Sequence, residues 1–128
     1  MQERRTDEAQ RAFEVAFFEG VLGRWPDCPE ALSVLGTLYT RMGRLEEGLS
    51  VDSRLAALRP DDPVAHYNVA CSLALLGRKG DAFSALERSV AVGYRDVVHM
   101  DSDPDLSALR GEARYDRIKR AAMRAAGP

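Results

Sequence analysis

The sequence predicts an all-α fold: an α-α superhelical stack of helical hairpins with two full repeats, an unpaired helix before them and capping helices after them. Three observations point there. The chain matches itself at a shift of 34 residues without a gap, Pro29-Glu30-Ala31-Leu32 falling on Pro63-Val64-Ala65-His66 and Met42-Gly43-Arg44 on Leu76-Gly77-Arg78. A period of that length marks similar units that bury apolar faces against one another. Apolar residues recur every three or four positions through the matched stretches, which is helical spacing. Proline opens the stretches and glycine closes them, the asymmetry expected of helix ends.

Taken in order, residues 6–23 form the N-terminal helix, with Ala9, Ala12, Phe13, Ala16, Phe17, Gly20 and Val21 expected on its packing face. Phe17 and Val21 fall on Val51 and Leu55 at the repeat shift, so this is the second helix of a repeat that lacks its first. The first repeat spans 29–62. Its helix 29–42 carries Leu32, Leu35, Leu38 and Tyr39, and Gly43 ends it. Its second helix, 45–58, carries Leu45, Leu49, Leu55 and Leu58 and is stopped by Arg59-Pro60-Asp61-Asp62-Pro63. The second repeat, 63–96, has helices at 63–76 and 79–92 around Gly77. The closing segment is 97–128. Asp103 reads as a helix N-cap with Pro104 first inside. A last helix near 112–125 places Tyr115, Ile118 and Ala122 on one side.

Composition bounds the function. A chain of 128 residues is one ordinary domain, and 45% hydrophobic with 30% charged is a globular mixture. The formal charge is −2, with no concentrated basic surface for nucleic acid. No apolar run approaches the ~20 residues that span a bilayer. The charged start, residues 1–8, lacks the apolar stretch of an export signal, so a cytoplasmic protein without membrane contact is expected. Cys28 and Cys71 are far apart in sequence and are expected to be thiols.

Within the repeats, Leu32, Leu35, Gly36, Tyr39, Gly43, Gly48, Leu55 and Pro60, and then Val69, Ala70, Gly77, Ala82, Leu86 and Ser89, stand at the signature positions of a known unit. The pattern resembles the tetratricopeptide repeat (TPR), and it covers residues 29–96. The segment from Asp103 to Tyr115 resembles one that closes such repeats in small bacterial proteins. The resemblance implies a non-catalytic adaptor or scaffold that binds a partner protein or peptide along the concave side, lined by the first helix of each hairpin. On this sequence the groove set is Ser33, Thr37, Arg41, Val64, Tyr67, Asn68, Cys71 and Leu75. Asn68 fits one position of the family's clamp for a C-terminal carboxylate. Ser33, Thr37, Val98 and Ser102 depart from it, so carboxylate-clamp binding is not expected. The second repeat offers a mostly apolar strip of Val64, Tyr67, Cys71, Ala74 and Leu75. Such a strip receives a partner peptide, or is covered by the closing segment or by a second copy in a homo-oligomer.

Other chemistry finds little footing, and neither a cofactor, a metal nor a catalytic set is expected. Asp101 to Glu112 spaces its carboxylates like a calcium loop, but Leu106 stands where the loop turns on glycine and Pro104 stiffens it. His66 and His99 have no metal spacing between them. Arg110, Arg114, Arg117 and Arg124 share a stripe of the last helix, joined by Lys119 and Arg120, and read as a solvated face. Asp52 occupies a slot filled by Phe18 and Leu86 in the equivalent helices. It is expected to be partly exposed beside an arginine, because an unpaired buried carboxylate costs several kcal/mol.

Overall fold

Helices form where the punctuation allows. The computed structural model describes residues 2–125, and side chains over residues 6–124. These form seven α-helices: α1 (Gln2–Arg24), α2 (Pro29–Arg41), α3 (Leu45–Leu58), α4 (Pro63–Leu75), α5 (Lys79–Ala91), α6 (Val97–Ser102) and α7 (Ala113–Ala125), with one 3-10 turn, Pro104–Leu106. They pack in sequence as antiparallel pairs, consistent with a helical repeat. The chain divides into two compact units, one through Leu58 and one from Arg59 onward.

In the first unit α2 packs on both α1 and α3. The turn after α2 needs a left-handed residue, and Gly43 supplies it at φ 77°. The Arg44 amide then closes back on the Tyr39 carbonyl at 2.8 Å. α2 and α3 approach closely because both carry glycine at the crossing. A Cβ on Gly36 would lie 2.2 Å from Asp52 Oδ1, and one on Gly48 would lie 3.2 Å from Thr40 Oγ1. Asp52 is thus buried against Gly36 rather than partly exposed. A residue without a side chain leaves the pocket that a short carboxylate fills.

The orientation of α1 also differs from expectation. Val15 is buried and Phe18, Val21 and Leu22 are half-buried, so of the expected face only Val21 is partly covered, whereas Ala9, Ala12, Phe13, Ala16, Phe17 and Gly20 are exposed. The helix has apolar residues around most of its circumference, so its pattern alone does not choose the packing face. A specific bond fixes the rotation: Tyr39 Oη donates to Glu19 Oε2 at 2.5 Å. Arg44 stacks over the same Tyr39 ring, 4.6 Å from its centroid.

The second unit repeats the hairpin in α4 and α5. Gly77 turns at φ 79°, and the Arg78 amide meets the Leu73 carbonyl at 2.9 Å, matching the first turn. Ala70 and Ala82, the counterparts of Gly36 and Gly48, are fully buried. Asp62 caps α4, accepting from the amides of Val64 at 2.9 Å and Ala65 at 3.3 Å. Its counterpart Cys28 makes no such cap. His66 is buried, and its Nε2 donates to the Pro60 carbonyl 2.7 Å away.

After α5 the chain forms α6, which the repeat pattern did not foretell. Asp96 caps this short helix through the His99 amide at 3.0 Å. α7 then packs on α5, burying Tyr115, Ile118 and Ala122. The basic stripe is partly engaged. Arg114 pairs with Glu87 at 2.7 Å, Lys119 with Asp101 at 2.6 Å, and Arg110 donates to the Met100 carbonyl at 2.8 Å.

Candidate functional site

The inner strip of α4 is where the sequence concentrates apolar side chains on a first helix. Two of them, one turn apart, face the closing segment: Tyr67 is 4% exposed and Cys71 8%. The 3-10 turn Pro104–Leu106 lies against α4, and Asp103 at its start is the joint. Asp103 Oδ1 accepts from the Asp105 amide at 3.0 Å, capping the turn. Asp103 Oδ2 accepts from Tyr67 Oη at 2.7 Å and from Cys71 Sγ at 3.7 Å, and His99 Nε2 lies 3.3 Å from it. The Tyr67 ring stacks on Tyr94 at 4.4 Å between centroids, 6° from parallel, and His99 tilts against it at 5.5 Å. One carboxylate therefore holds α4, α6 and the 3-10 turn together.

Burial shapes the chemistry of this joint. Desolvation, followed by the nearby Asp103 and Asp105 carboxylates, pushes the Cys71 thiol well above its ordinary pKa, which disfavours the reactive thiolate. Desolvation and the bond to Asp103 raise Tyr67 strongly. Burial and the Asp103 charge raise Asp105. Cys71, Asp103 and Asp105 bring their ligand-type atoms within 4.8 Å of one another. Both Asp103 oxygens already accept protein hydrogen bonds, so the arrangement works as a hydrogen-bond hub.

All four tyrosines are held protonated by the fold. Desolvation is the largest cause each time: Tyr39 and Tyr94 are each pushed up to about 12, and Tyr67 and Tyr115 are also raised. A raised pKa means the folded state keeps the proton longer. The associated stability is complete below the ordinary tyrosine value of about 10 and is lost as pH climbs through about 12. Absorbance of phenolate at 295 nm is therefore expected to stay low at pH 10.5, then rise steeply together with loss of helical circular dichroism. A gradual rise centred near pH 10 in a still-helical protein would contradict this burial.

The residues expected to line a groove are placed as follows. On α2, in the first unit, Ser33, Thr37 and Arg41 are all exposed. Thr37 Oγ1 donates to the Ser33 carbonyl at 3.4 Å. On α4, in the second unit, Val64 and Leu75 are exposed and Asn68 is half-buried, flanking the covered Tyr67 and Cys71. The closing segment is seated on the strip at Tyr67 and Cys71, and Val64 and Leu75 stay exposed beside it. The repeat pattern did not bring forward Tyr94 and His99 as neighbours of Tyr67. Asp103 was legible as a cap, but its second oxygen's bond to a tyrosine 36 positions earlier carries no local signal.

No family model matches the chain. It is 34% identical over 86 residues to a chloroplastic protein of Arabidopsis thaliana that contains TPR units. The aligned region is 65% of this chain and 26% of that relative, so the chain spans about a quarter of the relative's length. Among the described residues, no helix is long and apolar enough to cross a membrane.

Proposed function

We propose that this chain is a non-catalytic adaptor of the TPR type, which binds a partner protein or peptide through the first helices of its hairpins. The observation that carries the reading is the row Ser33, Thr37 and Arg41: one turn apart on α2, all exposed, on a helix whose other faces are buried by α1 and α3. The repeat spacing and the TPR-containing relative support the same reading. On α4 the contact residues are Val64, Asn68 and Leu75, while Tyr67 and Cys71 form the floor beneath the closing segment. Two free thiols suit a reducing compartment such as the cytoplasm.

A photoreactive phenylalanine analogue placed at Thr37 or at Val64, each in turn, tests this in lysate of the native host. Adducts with a defined protein are expected from both positions and not from Ser53, an exposed residue of α3. Equal capture from Ser53, or none from Thr37 and Val64, would reject the surface.

A further inference from the structure

The 3-10 turn gathers two carboxylates that have no lysine or arginine between them. Three other carboxylates of the second unit do have one: Asp101 pairs with Lys119, Glu87 with Arg114 and Glu112 with Lys79. Asp103 has only His99, which is charged only when protonated. The charges that reach Asp105 are those of Asp103, which opposes its ionisation, and of His99. Among the described residues the Asp105 carboxylate makes no hydrogen bond or ion pair. Facing this pair from α4 is the buried Cys71 thiol, and one ligand-type atom from each of the three lies within 4.8 Å of the other two. Two like charges held together in a half-buried place are unfavourable unless a cation joins them.

The donor set and its spacing say which cation. A thiol, an imidazole and carboxylates suit zinc, and tetrahedral bonds of about 2.3 Å to sulfur and about 2.0 Å to nitrogen or oxygen set sulfur about 3.5 Å and nitrogen about 3.3 Å from a ligand oxygen. Here Cys71 Sγ lies 3.7 Å and His99 Nε2 3.3 Å from Asp103 Oδ2. The His99 side chain is 53% exposed and has room to turn its ring. We infer that this joint is a structural zinc site, with Cys71 Sγ, His99 Nε2 and one oxygen each of Asp103 and Asp105 as the four ligands. Zinc takes the place of the protons now directed at Oδ2: the Cys71 thiol gives its proton to solvent and binds as thiolate, and His99 binds through an unprotonated Nε2. Nothing is oxidised or reduced. Tyr67 Oη keeps its bond to Asp103 and orients the carboxylate from behind, while Oδ1 keeps the Asp105 amide. The ion thus ties α4, α6 and the 3-10 turn at the point where the hydrogen bonds already hold them.

Titration of the reduced, chelator-treated full chain with zinc chloride in a calorimeter tests the inference. One equivalent is expected to bind with a Kd of about 1 μM or tighter. Cobalt chloride supplies the spectroscopic signature, a thiolate-to-cobalt charge-transfer band in the near ultraviolet with the strong visible bands of a tetrahedral ion. Cys71→Ala should remove the charge-transfer band and weaken zinc at least about tenfold, and His99→Ala should weaken zinc similarly while keeping that band. Cys28→Ala should change neither. Circular dichroism checks the helicity of each variant, and His99→Ala, at an exposed position, keeps the test open if Cys71→Ala unfolds. No zinc binding up to about 100 μM, or binding that both Cys71→Ala and His99→Ala leave at wild-type strength, would overturn the inference. A charge-transfer band that Cys28→Ala abolishes would do the same.

Discussion

Replacing Asp103 with alanine is expected to destabilise the second unit by about 2–4 kcal/mol, the range for losing a charged acceptor and leaving buried donors without a partner. The carboxylate caps the Pro104–Leu106 turn through Oδ1 and gathers Tyr67, Cys71 and His99 at Oδ2. Removing it leaves the Tyr67 hydroxyl buried without its acceptor. Asp103→Asn should cost less, because the amide oxygen can still cap the turn while the amide nitrogen cannot accept from Tyr67. Tyr67→Phe removes the donor and keeps the ring on Tyr94, so it should fall below both. Urea unfolding of the three variants checks the order, and equal midpoints would show that Asp103 does not hold the joint.

Gly36→Ala is the second large effect. Ordinarily alanine in a helix gains about 1 kcal/mol over glycine. Here the new methyl would lie 2.2 Å from Asp52 Oδ1, far inside contact distance. Either the buried carboxylate rotates away from its partners or α2 and α3 separate, and overpacking of this kind costs about 1–3 kcal/mol. The two residues should therefore couple. In an Asp52→Ala background the methyl has space, and Gly36→Ala should become neutral or stabilising. Thermal unfolding of the two single variants and the double variant measures the coupling. Strict additivity would mean that the close approach at Gly36 has no energetic weight.

These two sites show what the sequence made legible. The hairpins were readable because their signals are local and repeated. Pro29 and Pro63 start helices, Gly43 and Gly77 end them, and small residues at 36, 48, 70 and 82 mark the crossings. The burial of Asp52 was not readable, because it depends on the space left by Gly36 on another helix. The rotation of α1 was missed for a related reason. Both its stripes are apolar, and the choice between them rests on Tyr39 reaching Glu19 across 20 residues. α6 escaped because a six-residue helix has too few turns for a period. The strip on α4 is apolar in the sequence itself, but the cover over Tyr67 and Cys71 depends on where Asp103 lands.

Thiol labelling of the native protein tests the central claim, that the closing segment is seated on α4. Cys28 lies at the start of α2 and is half-buried, whereas Cys71 lies beneath the segment and is held as a thiol. One thiol should react quickly with Ellman's reagent and the other slowly, with the slow one assigned to Cys71 by peptide mapping and accelerated in Asp103→Ala. Two thiols reacting at the same fast rate in the folded wild-type protein would mean that the strip is open and the joint at Asp103 does not form.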